Sequence, residues 1–416
     1  MKITILTAGS RGDVQPVVAL ALGLQRAGHS VTLAAPLDAE RFVAGYGVPY
    51  ARMSADYQQL AATEQNRAAL GGNPAALFKA YREFQGMMRT LLDDAWAAAQ
   101  GADTVVYHPK ALAGADIAQR LAVPGFLAAP MPLLTPTAAF PMPGTFSRNL
   151  GGKLNRATYA VNRLMLLSFH RLINRWRRET LGLPPRSLPA HPFTDKGRPL
   201  PLLYAVSPQV VPRPDDWPAH AHMTGYWFLP TAADWTPPPA LEEFLAVGEP
   251  PVYVGFGSMA GRKPEETTAL VLEALAQSGQ RGMLASGWGG LQATALPEHV
   301  HLLEAAPHAW LFPRCAAVVH HGGAGTTAAG LQAGRPTIIC PFFGDQPFWG
   351  QRVATIGAGP APIPQKKLTA AGLAAAIGEA TRNAAMRRRA AAIGAAIREE
   401  DGVQRAVALI EAGRRG

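Results

Sequence analysis

The sequence predicts an α/β protein built as two parallel-sheet domains that face each other across a cleft. Three observations carry that expectation. Short apolar runs alternate with longer helical patterns through both halves of the chain, the signature of strand–helix–strand units. Between the halves, over roughly residues 208–251, prolines stand at a density that strands and helices tolerate poorly. The length of 416 residues fits two domains at about 100–200 residues each.

In the first half the strands read KITILTA, SVTLAAP, TVVYHP and PGFLAAP. In the second they read PPVYVGFG, GMLASG, VHLLEA, AAVVHHG and PTIICPF. Both halves open alike, with strand, glycine loop and helix, in ILTAGSRGDVQP and VYVGFGSMAG. The expected organisation is an N-terminal domain over 1–215, a proline-rich linker over 216–250 and a C-terminal domain over 251–385. A terminal helix over 386–416 is expected to pack back on the first domain, and the whole stretch from Ala370 reads as helix. In such a pair a ligand lies in the cleft beyond the carboxyl ends of both sheets.

Composition narrows the function. Apolar residues make up 48% and charged residues 16%, which supports sizeable cores and excludes a disordered, collagen-like or coiled-coil chain. Cys315 and Cys340 are the only cysteines and both lie in apolar runs, so neither a disulfide framework nor a zinc site is expected, and a reducing, cytoplasmic compartment fits. The N-terminal residues do not read as a signal peptide, and no run reaches the roughly 18 apolar residues of a membrane span.

The formal charge of +10 permits nucleic acid, an anionic membrane or an anionic small substrate as partner. Part of it is concentrated. Arg148, Lys153, Arg156, Arg163, Arg171, Arg175, Arg177 and Arg178 follow one another without an acid, interleaved with apolar residues such as Leu154, Leu164 and Met165. The spacing suits a helix with one apolar and one cationic face, either a solvated domain helix or one that contacts an anionic membrane through 148–178 or guards a lipophilic pocket. No zinc-finger, RRM or basic-zipper pattern accompanies the charge, so nucleic acid is not expected.

The densest chemical cluster is AAVVHHGGAGTTAAGLQAGRPTIICPFFGDQPFWGQR, residues 316–352. A strand ends in His320 and His321, and the chain turns through Gly322, Gly323 and Gly325 into a helix expected to begin near Thr326. Glycines let a ligand approach the backbone, and free N–H groups at a helix start attract a phosphate. There is no P-loop lysine motif and no Asp-x-Asp pair for a metal, so stabilisation of a diphosphate falls to the protein itself and no metal or cofactor is expected. Gly255, Gly257 and Ala260 also satisfy G-x-G-x-x-G/A, but the pattern arises by chance in glycine-rich α/β chains and does not open the first unit, so a nicotinamide oxidoreductase is not inferred.

The run His320-His321-Gly322-Gly323-Ala324-Gly325-Thr326-Thr327, followed after an apolar strand by Phe343-Gly344-Asp345-Gln346-Pro347, resembles the nucleotide-sugar-dependent glycosyltransferases of the GT-B type, in which two Rossmann-like domains flank a cleft. The resemblance extends over essentially the whole chain. The tracts FFGDQPFWGQRV, ASGWGGL and INRWRRETLGLPP look most like sterol glucosyltransferases and their bacterial relatives. It implies that His320 and the backbone at Gly325 and Thr326 bind the donor diphosphate, with Ser258 helping. By the same resemblance Asp345 and Gln346 hydrogen-bond the sugar hydroxyls, and Trp288, Pro307 and His308 face the base. The implied donor set also takes in Ser10, Gly12, His321, Gly322 and Gly323.

The family's first loop places a catalytic His three residues before a proline. Here Gly12-Asp13-Val14-Gln15-Pro16 occupies that place, so the resemblance makes Asp13 the base, as in the sterol and glycopeptide branch. Read from the residues alone, Asp13 is a helix N-cap before Pro16. A carboxylate within reach can take the acceptor hydroxyl's proton as the oxygen attacks the anomeric carbon. Plant members pair their His with an Asp, and that position falls on His108, which would make His108 the orienter or a proton acceptor. They also carry a ribose-binding Glu where this chain has Ala328 and a uracil-stacking Trp where it has Ala305.

The expectation is therefore an inverting transferase that moves a hexose, glucose from UDP-glucose, to a hydroxyl of a lipophilic sterol, polyketide or phenolic. The acceptor segments, 50–100 and 130–175, hold Phe78, Phe84, Met87, Met88, Phe140, Met142 and Phe146. A TDP-sugar transferase, a sugar-nucleotide 2-epimerase of the same fold and a non-catalytic membrane-binding protein are the alternatives.

Overall fold

A computed structural model describes residues 1–54, 74–187, 194–195, 198–231, 235–257, 264–286 and 296–413. Within them lie two open, twisted sheets with helices on both faces. The first has seven strands: β1 (Lys2–Leu6), β2 (Ser30–Pro36), β3 (Tyr50–Met53), β4 (Thr104–Tyr107), β5 (Gly125–Ala129), β6 (Leu202–Tyr204) and β7 (Ala221–Met223), in the order β3-β2-β1-β4-β5-β6-β7. The second has five: β8 (Val252–Gly255), β9 (Gly282–Ala285), β10 (Val300–Leu303), β11 (Ala317–His320) and β12 (Thr337–Ile339), in the order β10-β9-β8-β11-β12. Every pairing in both sheets is parallel. Strands such as TVVY and VYVG are buried along their whole length, because helices cover both faces of a parallel sheet.

The strands named from sequence are all present, and three more join them. YARM carries an exposed arginine, LLY is only three residues long, and AHM lies inside the proline-rich stretch. Each is three or four residues long, yet gains backbone partners from the neighbouring strands, LLY between β5 and β7 and the other two at the sheet's edges. The stretch over 216–250 thus contributes β7 and a short helix, Pro239–Ala246, with Pro238 and Pro239 at its start where missing N–H groups cost nothing.

The C-terminal stretch is three helices rather than one. Asn383 caps the second by accepting from the N–H groups of Ala385 and Met386, and Asp401 caps the third by accepting from Gln404. These caps break the run after Arg382 and after Glu399. The last helix, Gly402–Ala412, buries Ala406, Val407 and Ile410 in the core of the first domain against α1 (Arg11–Arg26). The helix Ala384–Glu399 packs instead on α10 (Ala324–Gln332) of the second domain. The chain therefore crosses between domains twice. Further contacts hold the two together: Ser207 Oγ donates to Glu400 at 2.8 Å, Arg352 donates to the Val210 carbonyl at 2.6 and 2.9 Å, and Phe140 packs on Phe348.

The basic stretch also departs from expectation. It is two helices, α5 (Gly152–Thr158) and α6 (Ala160–Trp176), with a π-turn over Arg177–Leu181. Its faces are not sorted into one apolar and one cationic. Arg177 is buried, donating to Asp116 and to the Pro184 carbonyl, while Leu154, Leu164 and Met165 point outward. Burial of Arg177 is possible because Asp116 also takes Arg186 at 2.7 Å, so each charge has an opposite neighbour.

Candidate active site

Parallel pairing of β1 with β4, Leu6 opposite Tyr107, brings the loops after both strands to one edge of the first sheet. The first loop leads into α1, whose N-cap is Ser10 rather than Asp13; Asp13 lies at the third helical position. Its carboxylate reaches back, and Oδ2 accepts from the Ser10 N–H at 2.8 Å and the Ser10 hydroxyl at 3.3 Å. Lys110 Nζ, from the second loop, donates to the same oxygen at 2.7 Å. Asp13 itself is only 6% exposed. Gly9, at φ +121°, lets the carboxylate lie there: an added Cβ would stand 2.2 Å from Oδ2. Gly12, one residue before Asp13, is exposed on the first turn.

His108 meets the other oxygen. Its Nε2 stands 3.4 Å from Asp13 Oδ1, and its Nδ1 accepts the Lys110 backbone N–H at 3.2 Å. An acceptor at Nδ1 leaves the ring proton on Nε2, facing the carboxylate. Burial pushes the His108 pKa down from 6.5 to about 4, the nearby Asp13 opposing and Lys110 adding to the shift. The ring is thus neutral near pH 7, a donor toward Asp13 rather than a proton acceptor. Lys110 is the member of this cluster that sequence reasoning missed. Its only signal was its position two residues beyond the strand-end His108.

In the second sheet β11 lies between β8 and β12, with His320 opposite Gly255 and Ile339. Three loops therefore leave the sheet together, beginning at 256, 321 and 340. His320 is fully buried; Nδ1 accepts the Gly322 N–H at 2.9 Å, which places the proton on Nε2, and that nitrogen has no hydrogen-bond partner among the described residues. Burial holds its pKa well below 6.5, with His321 and His308 adding to the effect. A buried N–H without a partner is costly unless a ligand meets it. Gly322, at φ +95°, makes the turn possible, since a Cβ there would stand 2.6 Å from Ile339 and 3.1 Å from the Gln346 carbonyl.

Helix α10 begins at Ala324, two residues earlier than expected, with Gly323 as N-cap and no capping side chain. Its first N–H groups, including those of Gly325 and Thr326, have no intrahelical acceptor, and a Cβ built on Gly325 meets nothing within 4 Å. The His321 ring lies over Gly323, 2.7 Å from where a Cβ would stand, with Nδ1 unpaired among the described residues.

Asp345 is the N-cap residue of α11 (Gln346–Thr355) and accepts from Trp349 Nε1 at 2.7 Å. Desolvation raises its pKa; Trp349 opposes this, Asp13 adds to it and Lys110 opposes it. Two groups of the first domain thus act on a carboxyl of the second. Gln346 is turned inward, its Oε1 accepting from the Phe342 N–H at 2.7 Å and the Phe343 N–H at 3.3 Å, which leaves its amide N–H groups for other partners. His308, just after Pro307, stacks on Phe312 at 4.3 Å between centroids. Burial lowers its pKa to about 4, and Arg11 of the first domain adds to the shift. Ser258 and Trp288 lie outside the described residues, as does Ala260.

Beside Lys110 a small apolar recess is lined by Ala8, Met53, Met88, Leu91, Leu92 and Ala95. Of the apolar residues marked from sequence, Met88 lines it, Met142 is buried elsewhere, and Phe146 is 53% exposed. Phe78 and Phe84 have side chains outside the described set. Among the described residues no three His, Cys, Asp or Glu side chains are grouped to hold a metal ion.

Residues 3–140 match the Glycosyltransferase family 28 N-terminal domain, and residues 288–404 match the C-terminal domain named Erythromycin biosynthesis protein CIII-like. The first match takes in β1 to β5 and the second β10 to β12. Two sterol 3-beta-glucosyltransferases are similar in sequence. That of Aspergillus fumigatus is 40% identical over 99% of this chain and 30% of its own length. That of Arabidopsis thaliana is 40% identical over 91% of this chain and 62% of its own length. Among solved structures, the glycotransferase of kitacinnamycin superposes with a TM-score of 0.74 at 21% identity, over 99% of both chains.

The chain has the GT-B fold, two parallel-sheet domains like those of these solved glycosyltransferases. A second GT-B structure, glycosyltransferase VinC in complex with dTDP, matches with a TM-score of 0.71 at 20% identity over the whole of both chains. The chain spans less than two thirds of the length of these sterol glucosyltransferases. In GT-B terms, the Asp13 cluster belongs to the N-terminal domain and the His320 turn to the C-terminal one.

Proposed function

We propose that this GT-B chain transfers glucose from UDP-glucose to the hydroxyl of a lipophilic acceptor, a sterol first among them, with inversion at the anomeric carbon. The observation that carries the proposal is the pairing across the cleft of a buried carboxylate, Asp13, with a glycine turn that offers the Nε2–H of His320, unpartnered among the described residues, beside a helix start without a capping side chain. One is the equipment of a base, the other of an anion site. The similarity to sterol 3-beta-glucosyltransferases supports the choice of glucose and sterol.

In the proposed reaction Asp13 takes the acceptor's hydroxyl proton as the oxygen forms its bond to the anomeric carbon. The bond from that carbon to the diphosphate oxygen breaks on the opposite side. Three donors already converge on Asp13 Oδ2, so Oδ1, which His108 Nε2 faces at 3.4 Å, is the oxygen that receives the proton. Neutral His108 orients the carboxylate, and Lys110 positions it from the exposed side. The negative charge left on the diphosphate is met by His320 and the N–H groups at Gly325 and Thr326, with no metal required. Asp345 and the amide of Gln346 hold the sugar, and Pro307 and His308 stand toward the base. The protein works in a reducing, cytoplasmic compartment, with peripheral contact to an anionic membrane through residues 148–178. A TDP-sugar donor is the second reading, favoured by Ala305 and Ala328 and by the dTDP bound to the similar structure.

The test is incubation of the purified protein with labelled UDP-glucose or TDP-glucose and a detergent-dispersed sterol. A sterol glucoside is the expected product, and Asp13→Asn lowers its rate by at least about 10²-fold while UDP affinity in calorimetry stays within about threefold. Full transfer by Asp13→Asn removes Asp13 from the role of base. An epimerised sugar nucleotide formed without any acceptor, or no glucoside from either donor, overturns the reading.

A further inference from the structure

We propose that the outward face of α5 and α6 docks this protein onto a bilayer surface that contains anionic lipid. Large apolar side chains scattered singly over a surface are ordinary; a concentration of them is not. Among the described residues Phe146, Leu154, Val161, Leu164, Met165 and Leu167 are exposed within one short segment, while the rest of the chain adds only Val247, Leu302 and Phe343. Leu154, Leu164 and Met165 are 61, 66 and 60% exposed. On α6, exposed Leu164 and Leu167 recur at helical spacing on the side opposite the buried Ile173 and Trp176, and Val161 and Met165 are exposed on the flank. The helix is thus apolar on two sides, and only one has protein against it.

Cations surround the outward side. Lys153, Arg163, Arg171 and Arg175 are exposed; Arg175 pairs with Glu179, whereas Lys153, Arg163 and Arg171 have no ion pair among the described residues. No acid occurs between Arg148 and Arg178. An apolar centre with a cationic rim matches the interface of an anionic membrane, where the leucines reach the acyl boundary and the cations meet headgroup phosphates. A second copy of the chain is a poorer occupant, since a two-fold contact would set this rim against its own like charges. Nucleic acid would leave the apolar centre unmatched. No helix among the described residues is long and apolar enough to cross a membrane, so the contact is peripheral.

The placement has a consequence that rests on the lipophilic-acceptor reading. Asn162 of α6 donates to the Leu133 carbonyl at 2.6 Å, and the loop that follows Leu133 reaches the C-terminal domain. There Phe140 packs on Phe348, and the Cβ site of Gly144 lies 3.6 Å from the Gly344 backbone, next to Asp345. A bilayer under α5 and α6 is therefore adjacent to the cleft wall nearest the sugar-binding loop, the side from which a membrane-held hydroxyl would enter.

The full chain is sedimented with vesicles of phosphatidylcholine alone and of phosphatidylcholine mixed with phosphatidylserine. Binding to the mixed vesicles, weakened by salt and at least about tenfold stronger than to the neutral ones, is expected. The double change Leu164→Glu with Met165→Glu abolishes it. Arg163→Gln and Arg171→Gln each lower it about fivefold. All these sites are exposed, and circular dichroism together with transfer to a detergent-dispersed sterol reports that fold and active site are unchanged. No binding to anionic vesicles, equal binding by the glutamate variant, or a dimer that the glutamate variant dissociates overturns the proposal. Vesicle binding without any glucoside formation leaves the docking face standing and removes the acceptor reading; glucoside formation without vesicle binding does the reverse.

Discussion

Replacing His108 by Gln provides a measurement of how the first domain depends on pH. In the folded protein the ring titrates at about 4 because burial disfavours its charged form; unfolded, it titrates near 6.5. As pH falls the unfolded chain therefore binds this proton first. The contribution to stability is complete above about 6.5 and is lost progressively down to about 4. At about 1.4 kcal/mol per pH unit the whole interval amounts to about 3 kcal/mol, of which about 2 kcal/mol is lost by pH 5. His308 and His320, also depressed by burial, act in the same direction but are common to both proteins and cancel in the comparison. Urea unfolding followed by circular dichroism, on wild type and His108→Gln at pH 7.5 and pH 5, reads the difference directly. Wild type is expected to lose about 2 kcal/mol more than the variant between the two pH values. Equal losses would show that His108 titrates alike in both states, and the neutral ring assigned to orient Asp13 would go with it.

Three further outcomes follow from the same geometry. Lys110→Met lowers transfer about tenfold while leaving UDP affinity unchanged, because it removes the 2.7 Å contact that holds Asp13 Oδ2; Lys110→Arg restores most of the rate, and failure of that rescue denies Lys110 a positioning role. His320→Asn weakens calorimetric binding of UDP by about 10–100-fold, the worth of one hydrogen bond to a charged group, and unchanged affinity would remove it from the anion site. Asp345→Ala reduces affinity for UDP-glucose more than for UDP, and equal losses would leave Asp345 only its place at the start of α11 and its bond to Trp349.

The sequence by itself determined the alternation of apolar strands and helices, and with it the two parallel sheets. A buried strand such as TVVY declares itself, since its whole length must be apolar. The HHGGAGTT turn was equally legible, because its glycines do locally what a phosphate site requires. Short elements were not. LLY and AHM become strands only because neighbouring strands offer hydrogen bonds, and the single helix expected from Ala370 onward became three where Asn383 and Asp401 found N–H groups to cap.

The tertiary structure alone decided three things about the site. It made Ser10, not Asp13, the helix cap and turned Asp13 back so that its carboxylate meets Lys110, 97 residues away. It set the proton of His108 on the nitrogen facing that carboxylate, through a backbone N–H on the other side of the ring. It also turned leucines of a basic helix outward where a pattern of periodicity would have turned them in. The physical reason is common to all three. Periodicity and turn chemistry act between neighbours in the chain, whereas the charge, proton position and exposure of a side chain depend on what the fold packs against it.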